Sequence, residues 1–280
     1  MQGLTDANSE AVGFPHWLND AIGFPDVKQE GQQQGQQQGQ QGQQEQQGQH
    51  VDRNLETLGA LAKFVGFTKF RPGQQEALIS LLEQRDTVAN LPTGSGKSLI
   101  YQLLALMSRK AVLVITPTVA LVEDQVKNLH MTLKAASTGS AIGASRDILS
   151  GDYDVIFMTP EWLWPAQGVS NVSKLAALHT TRAFAAVVVD EAHLVLRWSS
   201  FRKGYDQLSQ LKEHLPQVPT LLMTATLKKA DIISLTEKVG LKQPKVVRVS
   251  MTRDNINLQV KPTIPLLKAS KIFMCSHSPP

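Results

Sequence analysis

The sequence predicts an α/β fold: a mostly parallel sheet with helices on both faces. Two observations predict it. Six short apolar runs lie along the chain: "TVANL" (87–91), "AVLVI" (111–115), "DVIFM" (154–158), "AVVVD" (186–190), "TLLMT" (220–224) and "KVVRV" (245–249). Segments of helical length separate them, and such alternation argues for a parallel sheet sandwiched between helices. Two acids, Asp190 and Glu191, directly follow the Val187–Val189 run. An unpaired buried carboxylate costs several kcal/mol. In sheets of this kind ligands bind beyond the carboxyl ends of the strands. The pair is therefore expected to face a cleft.

The segments preceding the sheet follow a different pattern. Residues 31–50, "GQQQGQQQGQQGQQEQQGQH", hold almost nothing apolar to bury and read as disordered. A short echo, "GFPHWLND" and "GFPDVKQE", precedes them. Residues 1–50 are therefore expected to form a tail. They carry one lysine against six carboxylates, a net −5, which leaves +9 for the rest of a chain whose total is +4. A basic body suits a polyanionic partner, nucleic acid above all, or is simply a lysine-rich soluble surface. From residue 51 the pattern changes, and "NLETLGALAKFVGF" places Leu55, Leu58, Leu61, Ala62 and Val65 at helical spacing. No apolar run approaches the ~20 residues that span a bilayer, and the acidic N-terminus is unlike a secretory signal. A single cysteine, Cys275, precludes an intrachain disulfide and fits the nucleus or cytosol.

The first strand leads into "LPTGSGKSLIYQ" (91–102). Gly94 and Gly96 allow backbone N–H groups of Thr93 to Ser98 to turn inward around phosphate oxygens. Lys97 can reach β- and γ-phosphates, the Ser98 hydroxyl can ligate Mg²⁺, and a helix beginning there adds its positive end. The run fits T-G-x-G-K-S; the stricter pattern would have glycine where Leu91 stands. The Asp190–Glu191 pair follows about ninety residues later on its Val-rich strand. Asp190 suits a Mg²⁺ ligand and Glu191 a residue that polarises the attacking water, and a bound cation relieves the crowding of two carboxylates.

The ordered series of motifs resembles the first motor domain of a RecQ-family DNA helicase over residues 55–262. "FVGFTKFRPGQQEAL" resembles the opening motif, "LPTGSGKSLIYQ" the phosphate loop and "ITPTVALVEDQV" the next motif, where DQV differs from RNA helicases of the DEAD-box kind. "YDVIFMTPEWL", "VVVDEAHLVLRWSSFRKGYDQL", "LLMTATL" and "VSMTRDNINLQVKP" follow in the family's order. The resemblance implies a RecA-like P-loop domain using ATP and Mg²⁺ on DNA, single-stranded or 3′-tailed, with 3′–5′ polarity.

The resemblance also implies residue roles. Gln74 would read the adenine edge, since its amide offers a donor and an acceptor. Arg71 would lie near the adenine or sugar. Thr224 and Thr226 would link the ATP site to DNA contacts, or simply end a strand. His193 would bridge the acid pair and the TAT segment, or serve the structure alone. Arg197, Trp198, Phe201 and Arg202 belong to an aromatic-rich loop. There aromatics stack on unpaired bases and arginines neutralise phosphate, unless Trp198 and Phe201 pack against the domain. That loop reads "WSSFR" where the family has W-G-H-D-F-R.

The expected division is thus a tail (1–50), a motor domain (51–262) and a divergent tail (263–280). The resemblance further implies a second motor domain, its arginines and zinc-binding cysteines, which these 280 residues do not contain. Two functions follow as expectations. The first is the ATP-binding half of a DNA helicase, partnered by a full-length helicase or repair proteins. The second is a truncated, catalytically deficient regulator that binds nucleotide and DNA.

Overall fold

In the computed structural model, residues 59, 63, 66, 69–138, 148, 152–198 and 202–250 are described. The expected tails at 1–50 and 263–280, most of the helix expected over 54–67, and Phe201 lie outside them.

Among the described residues, seven strands form one sheet. They are β1 (Thr87–Asn90), β2 (Ala111–Ile115), β3 (Ala135–Ser137), β4 (Val155–Met158), β5 (Phe184–Val189), β6 (Thr220–Thr224) and β7 (Lys245–Arg248). Their spatial order is β3-β4-β2-β5-β6-β1-β7, and every pairing is parallel. All carboxyl ends therefore open on one edge. This is the parallel, helix-covered α/β sheet that the alternation of apolar runs predicts, and it agrees with the RecA-like fold that the resemblance implies.

Side chains alternate across each strand, and the two faces build two cores. Val112 and Val114 of β2, Ala186 and Val188 of β5, and Leu221 and Met223 of β6 pack on helices α1 (Gln74–Leu82) and α2 (Ser98–Ser108). Leu113, Ile115, Val187, Val189 and Leu222 point the other way. On that face lie α5 (Val172–Thr181), α6 (His193–Trp198), α8 (Ser209–His214) and α9 (Lys229–Val239). Because both faces are covered, β1, β2, β4, β5 and β6 are buried at every position. Each fully buried leucine or valine there contributes about 1.5–3 kcal/mol. The described residues also form α3 (Val119–Lys127), α4 (Pro160–Leu163) and α7 (Lys203–Asp206).

The sequence did not announce β3. Ala135, Ala136 and Ser137 carry no β-branched or aromatic side chain, and the strand exists through its register with Val155, Ile156 and Phe157 of β4. Tertiary pairing there overrides weak local propensity.

Candidate functional site

The site lies at the carboxyl edge, where β1, β2, β5 and β6 end. The phosphate-loop sequence runs from β1 into α2, and its start is tied to β6. Leu91 N–H donates to Thr224 O (2.9 Å), and the buried Asn90 Nδ2 donates to Leu227 O (2.8 Å). Nothing in the sequence singled out Asn90, because its partner is 137 residues away.

Within the loop, Gly96 adopts φ 72°, and a Cβ added to it would lie 2.7 Å from Gln74 Nε2. The bare backbone lets Gln74 approach. Gln74 Nε2 donates to Ser95 O and to Gly96 O, each at 2.8 Å, and its Oε1 accepts from Arg71 N–H (2.8 Å). The Arg71 guanidinium donates to Gly94 O. Both residues expected near an adenine thus also brace the loop. Lys97 Nζ stands 3.4 Å from Leu91 O and Pro92 O, which brings its ammonium over the turn. Beside the loop is a cavity of about 360 Å³ lined by Lys69, Arg71, Gln74, Gly96, Ser98, Leu99, Gln102, Asn128 and His130. Asn128 and His130 lie in no motif read from the sequence; they come from the segment after α3, whose approach depends on packing.

Asp190 and Glu191 follow β5. Asp190 N–H donates to Ile115 O and Ala192 N–H to Met223 O, so the acid pair is held between β2 and β6. The Asp190 carboxylate is buried. Its Oδ1 accepts from Glu191 N–H (2.9 Å) and its Oδ2 from Gln125 Nε2 (2.8 Å). Burial, and next the Glu191 charge, push its pKa up to about 6, while hydrogen bonds and Lys97 oppose the rise. Gln125 Oε1 in turn accepts from Ser98 Oγ (3.1 Å) and from the Tyr101 hydroxyl. Burial raises the Tyr101 pKa well above that of a free phenol, so its proton stays in place.

Glu191 adopts φ 49°, a left-handed conformation that costs a non-glycine residue of order 1–3 kcal/mol. Its Oε2 lies 3.2 Å from His193 Nδ1, and the same nitrogen lies 3.1 Å from Thr224 Oγ1. Thr226 N–H donates to Thr224 Oγ1 (3.3 Å). His193 therefore joins the acid pair to the strand end that carries both threonines. Burial holds its pKa below the usual histidine range, against the pull of Glu191.

Trp198 is half-buried and packs against the second core. Arg202 lies over its ring at 4.8 Å from the centroid, and Tyr205 meets it edge-on at 6.0 Å. Arg202 also pairs with Glu161 (2.7 Å) and donates to Pro117 O (2.9 Å). Arg197 is exposed at the end of α6. Arg202 thus links three strand-end segments, and among the described residues of the loop Arg197 is exposed while Trp198 and Arg202 are engaged with each other.

Ser98 and Asp190 are hard oxygen donors sharing one amide partner, and among the described residues no cluster of three or more His, Cys, Asp or Glu could hold a metal alone. That donor set fits Mg²⁺, which takes one or two protein oxygens and otherwise phosphates and water.

A glycine-turned loop, a lysine and a strand-end acid pair on a parallel sheet define a P-loop nucleotide-binding domain. The DEAD/DEAH box helicase family model matches residues 71–234, and the chain belongs to that family. Over 220 residues it is 34% identical to the ATP-dependent DNA helicase Q-like 4B of Arabidopsis thaliana, covering 75% of this chain and 19% of that protein. The probable ATP-dependent DNA helicase RecS of Bacillus subtilis is 34% identical over 208 residues, covering 72% and 40%. The RecQ-like DNA helicase blm-1 of Caenorhabditis elegans is 33% identical over 223 residues, covering 75% and 22%. The chain spans less than half the length of each of these relatives.

Proposed function

We propose that the chain carries the ATP-binding motor domain of a RecQ-type DNA helicase that translocates 3′–5′. One observation supports this most: Ser98 at the start of α2 and Asp190 at the end of β5 meet on the amide of Gln125 beside a lysine-bearing glycine loop. We take residues 51–262 as the motor domain, flanked by tails at 1–50 and 263–280, and place its work on DNA in the nucleus.

In this reading backbone N–H groups of Thr93, Gly94, Ser95 and Gly96 surround the phosphates, and Lys97 brings an ammonium to the β- and γ-oxygens. Arg71 and Gln74 border the cavity where the base would rest. Mg²⁺, when bound, would neutralise phosphate charge between Ser98 and Asp190. Glu191 orients the attacking water and receives its proton. His193 fixes the Glu191 carboxylate and relays its position to Thr224 and Thr226. Arg197, Trp198, Phe201 and Arg202 form the DNA-responsive segment.

A second reading is a nucleotide- and DNA-binding regulator with little turnover. It is favoured by Arg202, whose contacts with Glu161, Pro117 and Trp198 engage it within the protein. The test is ATP hydrolysis by the 280-residue chain with and without a 3′-tailed duplex. Hydrolysis that rises with DNA and disappears in Glu191→Gln supports the helicase. Nucleotide binding with no hydrolysis, even after a separate second motor domain of RecQ type is supplied, supports the regulator. A rise with 5′-tailed DNA alone would contradict the polarity.

A further inference from the structure

Gln125 has no place in the roles above, yet it is the residue through which the two oxygen donors meet. It lies on α3, whose start is capped by Thr118 Oγ1 accepting from Leu121 N–H (3.3 Å). Val122 is fully buried in the first core. One helical step of three residues separates Val122 from Gln125, so both face the sheet. The capped, anchored helix carries the amide to the gap between the α2 start and the β5 end.

The orientation of the amide is fixed by its partners. Oε1 receives two hydroxyl protons, from Ser98 and Tyr101, and Nε2 donates to the Asp190 carboxylate. A flipped amide would set a carbonyl oxygen against a carboxylate and an NH₂ against the two hydroxyls. The chemistry that follows concerns lone pairs. A serine hydroxyl has one proton and two acceptor sites. With its proton committed to Gln125, Ser98 Oγ turns lone pairs outward. Asp190 is held at both oxygens, by Gln125 Nε2 and Glu191 N–H, which sets the plane of the carboxylate.

We infer that Gln125 is a positioning residue that sets the Ser98 hydroxyl and the Asp190 carboxylate as paired oxygen donors for the divalent cation accompanying the nucleotide. The inference rests on the nucleotide reading given above. Partners of this kind orient metal ligands, and their loss typically weakens metal affinity about 10–100-fold.

The test uses the 280-residue chain, Mn²⁺ as a paramagnetic probe and a non-hydrolysable ATP analogue. Mn²⁺ uptake with the analogue is followed by electron paramagnetic resonance. Analogue binding in EDTA is followed separately by calorimetry. Gln125→Met keeps length and helix preference but removes both hydrogen-bonding ends. Gln125→Asn keeps the amide on a stem too short to span both partners, and serves if the methionine variant does not fold. Both are expected to weaken Mn²⁺ uptake about 10–100-fold with cation-free analogue affinity unchanged. Tyr101→Phe, which leaves the Ser98 and Asp190 contacts in place, should retain uptake.

Wild-type Mn²⁺ uptake in both Gln125 variants would overturn the inference. So would an equal loss of cation-free binding, which marks a general structural role. A wild-type chain that binds the analogue with Lys97→Ala affinity would sink the nucleotide reading itself, and the inference with it.

Discussion

Replacing Asp190 with asparagine isolates the cost of an ionised carboxylate at the buried edge of the sheet. Asp190 is 7% exposed and its pKa is raised from 3.8 to about 6, first by burial and then by Glu191. A raised carboxyl pKa means that the unfolded chain releases this proton more readily than the folded one. The stability contribution is therefore fully present below 3.8 and is lost as pH rises through about 6. A shift of about two pKa units corresponds to roughly 3 kcal/mol. Asparagine does not ionise, so it removes this dependence. It also turns an NH₂ toward either Gln125 Nε2 or Glu191 N–H, a mismatch of about 1–3 kcal/mol that does not vary with pH. The test is thus a difference of differences. Urea unfolding of both proteins in EDTA, at constant ionic strength, should show asparagine gaining on wild type by about 2 kcal/mol between about pH 4.5 and 7.5. Glu191→Gln should shrink the gain, because it removes the second cause of the shift. Parallel stability curves for wild type and Asp190→Asn would refute the reasoning, since they would mean that the carboxylate is not held at a cost.

Gly73 opens α1 at φ 83°, and an added Cβ would overlap Leu91 Cδ2 and lie 3.0 Å from Val249 Cγ2. Gly73→Ala should cost about 2–5 kcal/mol in urea unfolding, from left-handed strain plus overpacking, and an unchanged midpoint would contradict it. Trp198→Ala should cost about 2 kcal/mol, because the indole is half-buried between the core, Arg202 and Tyr205. A variant with wild-type stability and weakened single-strand binding would instead make Trp198 an exposed stacking platform.

The elements that depend on burial alone could be read from the sequence. β1, β2, β4, β5 and β6 are buried at every position, so their apolar runs carry the signal within the run itself. The glycine loop was legible for a related reason: the spacing of Gly94, Gly96, Lys97 and Ser98 is a local requirement of a phosphate cradle. Gln125 was visible only as a letter in "VEDQV". Its partners Ser98 and Asp190 lie 27 and 65 residues away, and only the packing of α3 brings them together. The same holds for Arg202, which reads as a phosphate contact in "WSSFR" but reaches Pro117, 85 residues away. His193 was legible as a bridge by resemblance, and the structure gives it partners on both sides, Glu191 and Thr224.

In the function proposed above, the edge formed by the 91–98 loop, Asp190 and Gln125 binds a nucleoside triphosphate with a divalent cation. The most direct measurement is titration calorimetry of the 280-residue chain with a non-hydrolysable ATP analogue and Mg²⁺, set beside Lys97→Ala. Lys97 supplies the ammonium placed over the loop, 3.4 Å from Leu91 O and Pro92 O, and a charge-assisted contact of this kind contributes about 1.5–3 kcal/mol. Wild type is expected to bind the analogue in a Mg²⁺-dependent manner, with affinity weakened at least about tenfold in Lys97→Ala while both proteins melt at the same temperature. Equal affinity of the two proteins, or binding indifferent to Mg²⁺, would contradict it.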